Sequence, residues 1–126
     1  MRSLYIGIDF DGTMVTHKYP EIGEPLDYAV ETVLKLQEVG HKIILYTMRS
    51  EERLAQAVEY MEEEGIELYS VNENPSQKYW TKSPKIFCNL VIDDNALGCP
   101  MDYDIDVRPC VDWIEVEKQL KERGVL

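Results

Sequence analysis

Five side chains in three short stretches have the types and spacing to do chemistry together. Asp9 and Asp11 flank Phe10 and run into Gly12 and Thr13, Thr47 closes an apolar run, and Asp93 and Asp94 follow another. Carboxylates brought face to face repel one another and raise each other's pKa unless a cation neutralises them. A cluster of oxygen donors alone suits magnesium, so a metal site is expected if the fold gathers these residues. Taken singly, each feature has a plainer explanation. An Asp-x-Asp-Gly commonly starts a turn, and a threonine ending a strand is ordinary β-branched chemistry.

The elements that must do the gathering show as alternating apolar runs and amphipathic stretches. Residues 4–8 form a short β-rich run that suits a strand buried on both faces. Pro25 then opens a helical pattern with Ala29, Val30, Val33, Leu34 and Leu36 on one side, stopped by Gly40. A second strand is predicted over 42–47. Ser50 caps a helix carrying Leu54, Ala57, Val58 and Met61 inside and closed by Gly65. A third strand is expected over 67–71, then a polar loop with one short helix near Tyr79 and Trp80. Residues 90–92 make a fourth strand, and a short fifth is placed around Ile105 and Val107. A final helix has Asp112 as N-cap and Trp113, Val116 and Leu120 inside. This rhythm predicts one α/β domain over 1–126: a three-layer, Rossmann-like fold with a mainly parallel sheet of about five strands and helices on both faces. Such sheets bind ligands beyond the carboxyl ends of their strands, where Asp9, Asp11, Thr47, Asp93 and Asp94 all fall.

Composition narrows the function classes. At 126 residues and 44% hydrophobic, the chain can bury one core without staples, and no apolar run approaches the roughly 20 residues that span a bilayer. The opening stretch has no signal-peptide pattern, so a cytoplasmic protein is expected. Cys88, Cys99 and Cys110 are odd in number and widely spaced, which fits reduced, mostly buried thiols. Thirteen basic against 24 acidic side chains give a net charge of −11, which disfavours nucleic acid and anionic membrane as partners. The acids are unevenly placed, however, and His17, Lys18, Arg49, Arg53, Lys78, Lys82 and Lys85 fall in other segments. Oligomeric state is left as monomer or homodimer.

In this order, Asp9-Phe10-Asp11-Gly12-Thr13 after a strand, Thr47 at the end of the next, a lysine before the fourth and Asp93-Asp94 after it resemble the motif set of the haloacid dehalogenase (HAD) superfamily over nearly the whole chain. The stretches 16–23 and 92–100 look like those of short bacterial HAD-type hydrolases. The resemblance implies a magnesium-dependent phosphatase acting on a phosphorylated substrate. Asp9 would attack phosphorus to form an aspartyl-phosphate and also ligate the metal. Asp11 would act as general acid and base, with its backbone carbonyl on the metal. Thr47 would donate to phosphoryl oxygens, and Asp93 and Asp94 would hold Mg²⁺ directly or through water. Lys85 matches the motif lysine by spacing, with Lys78 and Lys82 as rivals, and would offset the charge of Asp9 and the phosphoryl group. Gly12, Thr13, Met48, Arg49 and His17 are the expected substrate contacts. Arg49 would bind bidentately, and His17, with Lys18 and Tyr19, would lie in a flap. The gaps between motifs leave no room for a cap domain.

The same residue types also occur in two other function classes. A non-catalytic phosphate-binding or regulatory module would keep the fold and metal, but every position expected for catalysis is filled. A phosphorylatable receiver domain also clusters acids around an aspartyl-phosphate, but with the acidic pair after the first strand and the acceptor after the third. Here the order is the reverse.

Overall fold

Apolar runs and amphipathic stretches alternate as predicted in the computed structural model, which describes residues 2–126. The parallel sheet is built from β1 (Tyr5–Ile8), β2 (Lys42–Leu45), β3 (Leu68–Val71) and β4 (Leu90–Ile92) in the order β3-β2-β1-β4. Between them run α1 (Ala29–Glu38), α2 (Glu51–Glu63) and a 3₁₀ helix (Pro75–Tyr79), and α3 (Trp113–Glu122) closes the chain. In register, Ile6 stands between Ile43 and Leu90, and Ile8 between Leu45 and Ile92. Side chains alternate across a strand, so these residues share one face. Ile6, Ile8, Ile43, Leu45 and Ile92 are buried in one cluster with Ala29, Val33 and Leu36 of α1, Ala57 and Met61 of α2, and Val116 and Leu120 of α3, and half-buried Leu90 packs against it.

All three helices therefore contribute to one side of the sheet, which corrects the expectation of helices on both faces. The opposite side carries Tyr5, Gly7 and Ile44. There Gly7 packs on Cys88, and Tyr5 meets Tyr69 and Phe87. The physical reason is sequence polarity. Residues 72–89 lack a helical apolar stripe, and Asn74 and Gln77 hold them down instead by hydrogen bonds to the backbone of Ser76, Phe87, Ser83 and Lys85.

The sheet has four strands rather than about five. Ile105 and Val107 do not form a strand: both are exposed, in a loop where Asp102 accepts from the Asp104 amide and Asp106 from the Val107 amide. Side chains that capture local amides compete with a ladder. The chain instead makes a two-stranded antiparallel ribbon, β5 (Met101–Asp102) with β6 (Cys110–Val111), and β4 is left at the sheet edge.

Two helix starts also differ from expectation. Pro25 does not open α1: it pairs with Val15 across an isolated bridge, and Leu26 donates to the Met14 carbonyl, so the chain turns back before the helix begins at Ala29. Ser50 occupies the N-cap position of α2 but its side chain makes no capping bond. Asp112 caps α3 as predicted, accepting from the Ile114 and Glu115 amides. All three cysteines are free, Cys110 buried and the others half-buried, and no helix is long and apolar enough to cross a membrane among the described residues.

Candidate active site

The carboxyl ends of β1, β2 and β4 deliver the site, and β1 and β4 are adjacent, which brings the two acidic motifs together. The Asp9 amide donates to the Ile92 carbonyl, continuing the ladder one step beyond the strands and fixing the height of Asp9 against Asp93. Carboxylate oxygens of Asp9, Asp93 and Asp94 lie within 4.8 Å of one another. Burial pushes the Asp9 carboxyl up to about 8, helped by the facing charges of Asp93 and Asp94 and opposed by the Thr13 hydroxyl. Burial also raises Asp93, against the pull of the Asn95 amide. The donor set is all oxygen and its charge is uncompensated within the cluster, so these three residues fit a hard divalent cation such as Mg²⁺.

Thr13 is not a free substrate donor. It is fully buried, donating to Asp9 Oδ2 at 2.9 Å and accepting from the Asp94 amide at 3.2 Å, and so ties the two motifs together. Asp11 stands apart from the three-carboxylate cluster. Its two oxygens accept from Arg49 Nε and Nη2, both at 2.7 Å, in a bidentate pair.

Arg49 is the largest departure from expectation. Its side chain is 1% exposed and bound to Asp11, and its remaining donors go to the carbonyls of Pro20, Glu21 and Arg53. The guanidinium is also sandwiched between the rings of Phe10 and Tyr19, each 5.1 Å away. It has no donors left over for a substrate, so its expected contact is replaced by a clamp joining Asp11 to the flap. The flap comprises residues 11–26, pinned by the bridges Asp11 to Val15 and Val15 to Pro25.

His17 reaches from this flap across the site. Its Nε2 faces Asp94 Oδ2 at 3.3 Å and the Pro109 carbonyl at 3.1 Å, and its amide donates to Asp106. Two acceptors facing one nitrogen make Nε2 the protonated one. Gly12 makes room for this arrangement: at φ +80°, a Cβ there would lie 2.3 Å from His17 Cε1 and 2.6 Å from Asp94 Oδ2. Gly12→Ala is expected to cost about 1–3 kcal/mol in urea unfolding. Gly98→Ala is the control, because Gly98 has φ +91° but nothing within 4 Å, so it carries the backbone strain without the collision.

These residues open onto a cleft of about 650 Å³ lined by Asp9, Asp11, His17, Lys18, Tyr19, Thr47, Met48, Arg49, Asp94, Asn95 and Arg108. Thr47 is in place, its hydroxyl accepting from the Arg49 amide, and Met48 is almost fully exposed at the rim. Lys85 is not brought there. It is exposed in the segment covering the sheet's other face, and neither it nor Lys78 or Lys82 lines the cleft. Arg108 and Asn95 are the lining residues that sequence reasoning missed. One signal was available for the first: Arg108 is the sole cation between Lys85 and Lys118.

The raised carboxyls predict a pH dependence of stability. A group that is easier to protonate folded than unfolded stabilises the fold at low pH, and that contribution fades as pH rises towards the folded value. In chelator, thermal stability should therefore fall from pH 6 to pH 9, through the value of about 8 for Asp9. Magnesium should restore more stability at pH 9 than at pH 6. Melting curves in the two buffers check this, and a flat difference between them would contradict it.

No family model matches the chain, and no curated protein sequence does. Among solved structures it is similar to a conserved protein of Bacteroides thetaiotaomicron. The two are 34% identical and superpose with a TM-score of 0.80 over 97% of this chain and 93% of that one.

Proposed function

The chain belongs to the same family as that conserved Bacteroides thetaiotaomicron protein, and we propose that it is a magnesium-dependent phosphohydrolase acting through an aspartyl-phosphate on Asp9. The observation that carries this is the set of three carboxylates within 4.8 Å at the sheet edge, with Asp11 and Thr47 in the same cleft. The ordered motifs that resemble the HAD superfamily support the same reading.

In the proposed cycle a carboxylate oxygen of Asp9 attacks phosphorus and the bond to the leaving oxygen breaks, while Asp11 gives that oxygen a proton. Water then attacks the phosphorus and gives its proton to Asp11, and the bond to Asp9 breaks to release phosphate. Both oxygens of Asp11 accept from Arg49, so carrying a proton requires one of those bonds to open. That exchange is the conformational step of the cycle. Thr47, two residues beyond β2, donates its hydroxyl to the phosphoryl group, and Thr13 holds Asp9 in line. Asp9, Asp93 and Asp94 would hold the cation, which would neutralise their charge and that of the phosphoryl oxygens. We place the enzyme in the cytoplasm, acting on a phosphomonoester as a monomer or homodimer.

The test is phosphate release from a broad panel of phosphomonoesters in magnesium and in chelator. Release in magnesium that chelator silences is the expected result. Equal release in both would remove the metal from the account.

A further inference from the structure

The proposed chemistry needs a cation to meet the incoming phosphate, and neither Lys85 nor its rivals line the cleft, while Arg49 is fully engaged by Asp11 and the flap. Two cationic side chains remain on the cleft wall, Lys18 and Arg108. Both are exposed, and neither takes part in an ion pair among the described residues.

Arg108 is unpaired although its loop is rich in acids. Asp106 is turned to the amides of His17 and Val107, and Asp102 to the amide of Asp104. Both oxygens of Asp106 and one of Asp102 are thus occupied by backbone donors, and the guanidinium keeps all its own donors.

The loop that carries it is also anchored at the site. His17 Nε2 holds the Pro109 carbonyl, the Val111 amide donates to the Gly12 carbonyl, and β6 pairs with β5. Pro109, next to Arg108, is therefore tied to the flap, and Val111, three residues on, to the first acidic motif. A free planar fork fixed beside a phosphoryl-transfer centre matches phosphate geometry better than a point charge does.

We propose that Arg108, delivered by the loop between β5 and β6, is the residue that binds the substrate's phosphate, in the place expected of Lys85. This rests on the phosphohydrolase reading and names the residue that takes the phosphate at that same site.

Inorganic phosphate is the probe, titrated calorimetrically into wild type, Arg108→Ala, Arg108→Lys and Lys85→Ala in magnesium. Arg108→Ala should weaken phosphate roughly 10- to 100-fold, the loss of charge-assisted hydrogen bonds. Arg108→Lys should fall between, and Lys85→Ala should match wild type. The magnesium-induced rise in melting temperature should survive in all three variants, which separates lost anion binding from a damaged metal site. On the best ester, Arg108→Ala should raise KM more than it lowers kcat. Phosphate affinity unchanged in Arg108→Ala, or lost in Lys85→Ala, would overturn the inference while leaving the phosphohydrolase reading intact. Wild type that neither binds phosphate nor releases it from any ester would overturn that reading and this inference with it.

Discussion

Asp9→Asn should abolish phosphate release, by at least about 10⁴-fold in kcat, while leaving the fold at least as stable as wild type. The amide has the size of the carboxylate and keeps an oxygen for the Thr13 hydroxyl, so the link between the two acidic motifs survives. What disappears is the proposed nucleophile, together with one of the three carboxylates that repel each other at the sheet edge. Burial and the facing charges push that carboxyl up to about 8, so removing it relieves the metal-free protein most above that pH. The variant should therefore melt higher than wild type in chelator at pH 9 and lose much of the pH dependence seen between pH 6 and pH 9. Kinetics and melting curves on the same samples read both effects. Turnover that persists in Asp9→Asn would remove Asp9 as nucleophile.

Arg49→Ala should be the most damaging single change to stability, costing about 3–5 kcal/mol in urea unfolding. The guanidinium is buried, and its loss leaves Asp11 without its partner and the carbonyls of Pro20, Glu21 and Arg53 without their donor. It also opens a gap between the rings of Phe10 and Tyr19. Because Asp11 is 21% exposed, water can solvate part of its charge, which places the expected value towards the lower end. Arg49→Lys keeps the charge but not the fork, and should recover only part of the loss. Amides in the flap, such as those of Thr16 and Leu26, should exchange faster in the alanine variant, since the flap loses its tie to the core. A cost below about 1 kcal/mol would show that the clamp is not what holds the flap.

The parts of the fold that were legible in the sequence are those set by local rules. The four apolar runs became parallel strands because each is short, β-rich and ends at a turn or acidic motif. Asp112 capped α3 because its side chain needs only its own neighbours. The fifth strand failed for a local reason of the opposite kind: Asp102 and Asp106 offer the backbone nearer partners than a strand would. The second face was harder: the polarity of residues 72–89 signals a loop, but not that Asn74 and Gln77 would hold it down through backbone groups.

At the site, the meeting of Asp9 with Asp93 and Asp94 followed from topology, because strand-end residues of adjacent parallel strands must converge. Arg49 and Thr13 were identified by position but not by role, as their partners lie in the flap and across the sheet edge. Spacing alone put Lys85 in the site, and it carries no information about which face of the sheet a loop will cover.

The most direct measurement needs no knowledge of the substrate. Inorganic phosphate labelled with ¹⁸O is incubated with the protein and magnesium in ordinary water, and the label is followed by mass spectrometry. If Asp9 attacks phosphorus and expels water, each reversal by solvent water exchanges an oxygen, so label should be lost with wild type in magnesium and retained in chelator and with Asp9→Asn. Retention of label by wild type in magnesium, or its loss with Asp9→Asn, would contradict an aspartyl-phosphate at Asp9.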